Sequence, residues 1–413
     1  MARVRYPRRM YALLLALALT TRIDRILTEA PLIDGHNDLP YQYQERAKDH
    51  LAQIDIRQDQ SKLTPPLHTD IPRLRAGHVG AEFWSVYVPT SLKGADAVRA
   101  VLEQIDVVYR IDETYPDTFE LARTADDIMR IHRAGKIASL IGVEGGHSIG
   151  NSLAVLRQLY NLGARYMTIT HSDNDDFADS ATADPVHNGL TPFGKQVIAE
   201  MNRLGMLVDL SHVAPKTMND VLDVTAAPVI FSHSSARALV DHPRNVPDDV
   251  LRRLKDNDGV VMVSFVPTFS SEKARARDAA HDAEEARLKT MYRGQPDRMK
   301  TELAKWEAAN PAPRATIGDV ADHIDHIAQV AGVTHIGLGT DFDGITSTVE
   351  GLDNVSTYPA LFAELIRRGY TDEQLEGIAG LNVLRVMRKV EAIAARVQKE
   401  RPASDMRIEE VDK

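Results

Sequence analysis

The chain has 413 residues, with 49 Lys and Arg against 59 Asp and Glu, a formal net charge of −10 and no cysteine. An acidic balance argues against a nucleic-acid partner, since the basic residues cluster only at Arg3, Arg5, Arg8 and Arg9. Without cysteine there are no disulfides, thiolate nucleophiles or cysteine-held metals, so any metal must be bound by His, Asp and Glu.

Residues 1–21 place a basic stretch before an apolar run from Met10 to Leu19, with Ala16-Leu17-Ala18 as a small-residue cleavage pattern. That run is about half of the ~20 residues a spanning helix needs, so it predicts an export leader rather than a membrane span. A cytoplasmic protein is the alternative. Beyond the leader, short apolar runs alternate with helical patterns. The predicted strands are Leu32–Asp38, Ala81–Val88, Ala138–Gly145, Tyr166–His171, Leu207–His212, Pro228–His233, Val260–Val266 and His335–Asp343. Helical segments include Asn151–Leu162, Pro192–Leu204, Pro247–Lys255 and Ile317–Val330. Eight strands with crossover helices predict the α/β class and a closed (β/α)8 TIM-type barrel, one domain over residues 22–395. Ser271–Pro313, rich in Ala, Glu, Lys and Arg, predicts one or two exposed helices inserted after the seventh strand. Residues 396–413 form a polar tail with no hydrophobic anchor signal.

Six of these strands change from apolar to His, Asp or Glu at their C-terminal ends, which in a barrel converge on one face. His36 and Asp38 stand at i and i+2 of the first strand, so both side chains point to one side. Glu144 ends the third strand, His212 the fifth and His233 the sixth. Three histidines with two carboxylates make an N/O ligand set for zinc or a related divalent metal. Five ligands exceed the three of a single catalytic zinc. Two ions about 3.5–4 Å apart, sharing a carboxylate, account for them better. Asp341, at the mouth of the eighth strand, is placed to move a proton between an attacking water and a leaving amine. Asp343 shares that face but precedes Gly344, which predicts a loop-capping role.

These residues and their neighbours resemble the membrane (renal) dipeptidase family of zinc dipeptidases. The matching stretches are IDGHNDLP at 33–40, TDIPRLRAGHVGAEFWSVYVP at 69–89, EGGHSIGNSLAVLRQLYNLGARYMTITH at 144–171, DLSHV at 209–213, PVIFSHSSAR at 228–237, RNVPDD at 244–249 and GLGTDFDG at 337–344. The resemblance implies two zinc ions per subunit. His36 and Asp38 would hold one, His212 and His233 the other, and Glu144 would bridge them. It also implies that His171 contacts the substrate and polarises the scissile carbonyl, that Arg244 pairs with the C-terminal carboxylate, and that Asp341 is the acid/base. A dipeptide or similar small molecule is the implied substrate, with D-residues at its C-terminal position included, and a homodimer the implied assembly.

Two departures stand out. Phe269 occupies the place of a substrate-contacting tyrosine, and without cysteine no disulfide-linked dimer can form. The alternative function is a binuclear-zinc amidohydrolase acting on N-acyl amino acids, β-lactams or a biosynthetic peptide conjugate. A metal-replete binding protein without turnover is the reading from another class. Other histidines carry less. His323 and His326 share one helix face and read as structural, His147 belongs to the site loop, and His50, His68, His78 and His187 lack a partner pattern. Trp84 reads as a core aromatic.

Overall fold

The computed structural model describes residues 8–412, with side chains from residue 17 onward. Arg3 and Arg5 of the expected leader lie outside the described residues. The helix Arg8–Glu29 runs through the expected leader boundary without a break. Its second half belongs to the folded body: Ile23, Ile26 and Leu27 are buried, and Arg22 Nε donates to Asp372 Oδ1 at 2.6 Å. Among the described residues no helix is long and apolar enough to cross a membrane.

Among the described residues nine strands form one sheet: β1 (Leu32–Asn37), β2 (Val79–Tyr87), β3 (Phe119–Leu121), β4 (Ile137–Glu144), β5 (Ala164–Thr168), β6 (Leu207–Asp209), β7 (Ile230–Phe231), β8 (Val260–Val263) and β9 (Ile336–Leu338). All pairings are parallel. The ring runs β1-β2-β4-β5-β6-β7-β8-β9 and closes on β1 through Asp34 and Leu338. This is the expected eight-stranded (β/α)8 barrel. Two details differ from the sequence reading. The short β3 pairs outside the ring with the start of β4, Phe119 opposite Ile137. Several strands also end early: Leu207–His212 is sheet only to Asp209, and the left-handed backbone at His212 takes the chain out of the ladder.

Strand alternation sorts the core into two clusters. On β4, Ile137, Ile141 and Val143 face the surrounding helices, whereas Ala138 and Leu140 face the barrel interior. The interior cluster also takes Ile33, Phe83, Tyr166, Leu207, Ile230 and Met262. Continuing each inward series toward the strand C-termini replaces these apolar residues by Ser85, Glu144, Thr168, Asp209 and Ser232, all buried. Buried polar groups at that level need partners or a ligand, and this polar layer is the floor of the site.

The insertion, expected as one or two helices, forms two, Glu272–Met291 and Pro296–Ala309, tied by His281 Nε2 and Glu307 Oε1 at 3.0 Å. The C-terminal segment is docked. Helix Asn382–Glu400 runs past residue 395 into the segment expected as a tail, and Asp412 accepts hydrogen bonds from Thr191 Oγ1 and Phe193 N at the start of helix Pro192–Leu204.

Candidate active site

Seven of the eight residues singled out in the sequence sit at or just beyond C-terminal strand ends, and the eighth, Arg244, lies further along a loop. His36 lies in β1 with Asp38 immediately after it, and Glu144 is the last residue of β4. His171, His212 and His233 follow β5, β6 and β7, Arg244 lies in the long loop after β7, and Asp341 follows β9. Backbone bonds lock the first and last of these together: Asp38 N donates to Phe342 O at 2.9 Å and Asp341 N to His36 O at 3.1 Å. Asp34 staples the same two strands, accepting from Thr340 N, Thr340 Oγ1 and Tyr358 Oη. His212, Asp341 and Asp343 hold left-handed backbone angles, φ +70°, +66° and +65°. Such strain costs about 1–3 kcal/mol per residue and persists only where the surroundings over-determine it. Gly344 leaves the space that Asp38 and Asp341 need: a Cβ there would stand 2.3 Å from Asp38 Oδ2 and 2.4 Å from Asp341 Oδ1.

Glu144 is the hub. Its Oε1 lies 3.2 Å from His212 Nε2, 3.4 Å from His36 Nε2, 3.6 Å from His171 Nε2 and 3.7 Å from His233 Nε2. Ser85 Oγ holds its other oxygen at 3.0 Å. Three groups bring their ligand atoms within 4.8 Å of one another: His36, Glu144 and His233; Glu144, His171 and His212; and His36, Asp38 and Asp341. Glu144 belongs to two of them, as a bridge would. His233 stands beside His36 as well as His212, and the His212 and His233 Nε2 atoms are 2.9 Å apart.

These residues fit a divalent metal. Buried His36 Nε2 has no hydrogen-bond partner and faces Asp38 Oδ2 and Glu144 Oε1, each at 3.4 Å. For His233 the hydrogen bonds assign the tautomer. Ser232 Oγ gives its proton to Asp209 Oδ2 at 2.6 Å, so it accepts from His233 Nδ1 at 2.8 Å and leaves a lone pair on Nε2. Electrostatics agree. Burial, joined by the charge of Arg244, keeps His212 well below its ordinary proton affinity, and burial with His36 and Arg244 does the same for His233; both are neutral, as a ligand must be. Burial opposes the charge of Glu144, yet His36, His171 and His212 hold it well below the usual carboxylate range. Burial likewise opposes a proton on His36, but Tyr166, Glu144 and Asp38 outweigh it and raise its affinity well above the usual value.

Asp341 behaves in the opposite way. Burial, then the charge of Asp38, pushes its carboxyl well above the usual range, although His36 and Arg244 counteract them. Arg244 is buried and pushed down to about 10 by desolvation, so it stays charged at neutral pH. Its guanidinium lies 5.0 Å from the centroid of the Phe269 ring, and its Nη2 donates to His233 O at 3.3 Å. Phe269 therefore supports the arginine from below, where the resemblance led us to expect only a lost hydroxyl.

A cavity of about 720 Å³ opens over this cluster, lined by Asp38, Glu144, His171, His212 and Asp341 and, toward the rim, by Tyr41, Arg46 and Tyr87. A larger recess of about 850 Å³ beside helix Gly94–Thr114 holds none of the candidate ligands. The sequence reading missed Tyr87, whose ring lies 4.7 Å from that of His171 and whose position at the end of β2 obeys the strand-end rule. It also found no partner for His68, whose Nδ1 accepts from Asp343 N while Asp343 Oδ1 accepts from His68 N at 2.7 Å. Asp343 thus caps a loop, as expected. His323 and His326 are structural: His323 Nδ1 accepts from Ala236 N, and His326 pairs with Asp248. Trp84 is fully buried, and His147 Nε2 bonds Val88 O.

A parallel barrel with histidines and carboxylates gathered at its C-terminal mouth is the architecture of a metal-dependent hydrolase. Residues 20–401 match the family described as Membrane dipeptidase (Peptidase family M19), and the chain belongs to that family. It is accordingly a metallo-dipeptidase, a peptide-bond hydrolase. Among curated proteins it is 45% identical over 372 residues to Dipeptidase tcpJ of Claviceps purpurea (strain 20.1), covering 88% of this chain and 77% of that relative. It is 40% identical over 387 residues to Dipeptidase verJ of Clonostachys rogersoniana, covering 91% and 88%. Among solved structures it is similar to the probable dipeptidase PvdM from Pseudomonas aeruginosa, with TM-score 0.78, 22% identity and coverage of 94% and 100%. A metallo peptidase from Rhodobacter sphaeroides, liganded with a phosphinate mimic of the dipeptide L-Ala-D-Ala, gives TM-score 0.71, 23% identity and coverage of 87% and 99%.

Proposed function

We propose that the chain is a zinc-dependent dipeptidase that holds two ions and cleaves dipeptides with a free C-terminal carboxylate, including those with a D-residue at that position. The observation that carries this reading is the convergence of four imidazole Nε2 atoms on Glu144 Oε1, with Asp341 grouped beside His36 and Asp38. His36 and Asp38 would hold one ion, His212 and His233 the other, with Glu144 within reach of both. Two divalent ions held there would supply a Lewis acid for the scissile carbonyl and would bring the pKa of a water down toward about 7.

The chain's own groups do the rest. Asp341 takes the proton of the attacking water as the C–O bond forms, and returns it to the amine nitrogen as the C–N bond breaks. Its raised proton affinity suits that second half. His171, beside Glu144 and Tyr87, donates to the carbonyl oxygen as negative charge develops. Arg244, charged and braced by Phe269, pairs with the substrate's carboxylate. The reading treats residues 22–395 as one catalytic unit and includes a homodimer, on the family resemblance, and export, on the basic-then-apolar leader.

Steady-state kinetics on L-Ala-D-Ala, the dipeptide mimicked in the Rhodobacter sphaeroides neighbour, tests the carboxylate clamp. Arg244→Ala raises KM about 10–100-fold, the worth of a charge-assisted hydrogen bond of about 1.5–3 kcal/mol. The C-terminal amide of the same dipeptide is an equally poor substrate for wild type. An unchanged KM in the variant would overturn the clamp.

A further inference from the structure

We propose that Tyr166 is the positioning residue of one metal site, its phenol fixing His36 in the tautomer that leaves Nε2 free for the cation. This rests on the two-ion reading above and assigns a role to a residue inside the barrel that contacts neither substrate nor metal.

Tyr166 points inward from β5 and is fully buried, its ring 5.1 Å from that of Phe83. Its hydroxyl is 2.9 Å from His36 Nδ1 and 3.2 Å from Gly35 O. A phenol has one proton to give. Donated to Gly35 O, it leaves the oxygen to accept from His36 Nδ1–H, and the lone pair of a neutral imidazole then sits on Nε2. That is the atom with no hydrogen-bond partner, facing Asp38 and Glu144. Donated to Nδ1 instead, the phenol proton forces a hydrogen onto Nε2, and ligation there is blocked. The Gly35 carbonyl gives the phenol proton its alternative destination, so the pair of contacts, rather than either alone, selects the ligating form.

The barrel reserves space for this ring. Gly142 stands opposite Tyr166 in the β4–β5 register. A Cβ at 142 would lie 2.0 Å from Tyr166 Cζ and 2.4 Å from its hydroxyl. In the inward series Ala138, Leu140, Gly142, Glu144, the glycine is what lets the ring reach under His36. His233 has a different support, the Ser232–Asp209 pair, and His212 Nδ1 has none. Tyr166 and Ser232 therefore act on different histidines, and their effects are separable.

The test is a zinc titration of the metal-free protein against a chromophoric chelator, with thermal unfolding of the metal-free protein alongside. Wild type takes up two ions in two steps. Tyr166→Phe keeps the ring and its packing, so the unfolding midpoint of the metal-free protein falls no further than in Ser232→Ala, which also loses buried hydrogen bonds. One step weakens about 10–100-fold, the usual effect of losing a partner that orients a ligand, and the other does not. Ser232→Ala weakens the opposite step. Two unchanged steps in Tyr166→Phe would overturn the proposal. So would equal weakening of both, or an unfolding midpoint well below that of Ser232→Ala, since each marks a structural role only. Uptake of a single ion by wild type would instead sink the two-ion reading on which the proposal stands.

Discussion

Asp341→Asn is expected to lower kcat on L-Ala-D-Ala by about 10²–10⁴-fold, the usual contribution of a positioned acid/base, while both zinc-binding steps survive. The substitution is nearly isosteric. The backbone bond from residue 341 to His36 O and the space beside Gly344 are both retained, so only proton transfer is lost. The same experiment separates acid/base from ligand, because the Asp341 carboxylate also lies within reach of a cation shared with His36 and Asp38. A variant with near-normal turnover contradicts the acid/base role. A variant that no longer holds zinc makes Asp341 a ligand.

Glu144→Gln is expected to have the larger effect on metal. One oxygen of Glu144 lies between 3.2 and 3.7 Å from four imidazole nitrogens, and two of the three candidate ligand groups need it. An amide keeps the volume but offers one uncharged oxygen, so on the two-ion reading the site loses its bridging charge. Zinc affinity should fall by more than the roughly 100-fold that loss of an orienting partner causes, and activity should fall with it. Metal content after dialysis and kcat on the same preparation report both. Full retention of zinc in this variant would remove Glu144 from the centre of the site.

The convergence of these residues was legible because parallel barrels impose one rule on every strand: its C-terminal end faces the site. Runs such as LVDLSH and VIFSH declare that end by changing from apolar to polar. Their exact strand limits were not legible. Hydrophobicity continues through Leu210 while the backbone is already leaving the sheet to set His212 in its left-handed turn. The strand β3 escaped because Phe119–Leu121 is three residues long and pairs outside the ring.

The supporting shell was hidden for another reason. Tyr166 reaches His36 across 130 positions and Asp343 reaches His68 across 275, and strand periodicity gives facing but no cross-barrel distance. Phe269 shows the same limit. A sequence reading sees a missing hydroxyl, whereas the fold places its ring against Arg244 and beside His242 at 4.5 Å.

The most direct test of the account compares metal-stripped and zinc-reloaded protein on L-Ala-D-Ala and its N-acetylated form. The account predicts no cleavage by stripped protein, recovery that saturates at two zinc ions per chain, and hydrolysis of the free dipeptide alone. Equal rates with and without metal, or cleavage confined to the acetylated substrate, would contradict it.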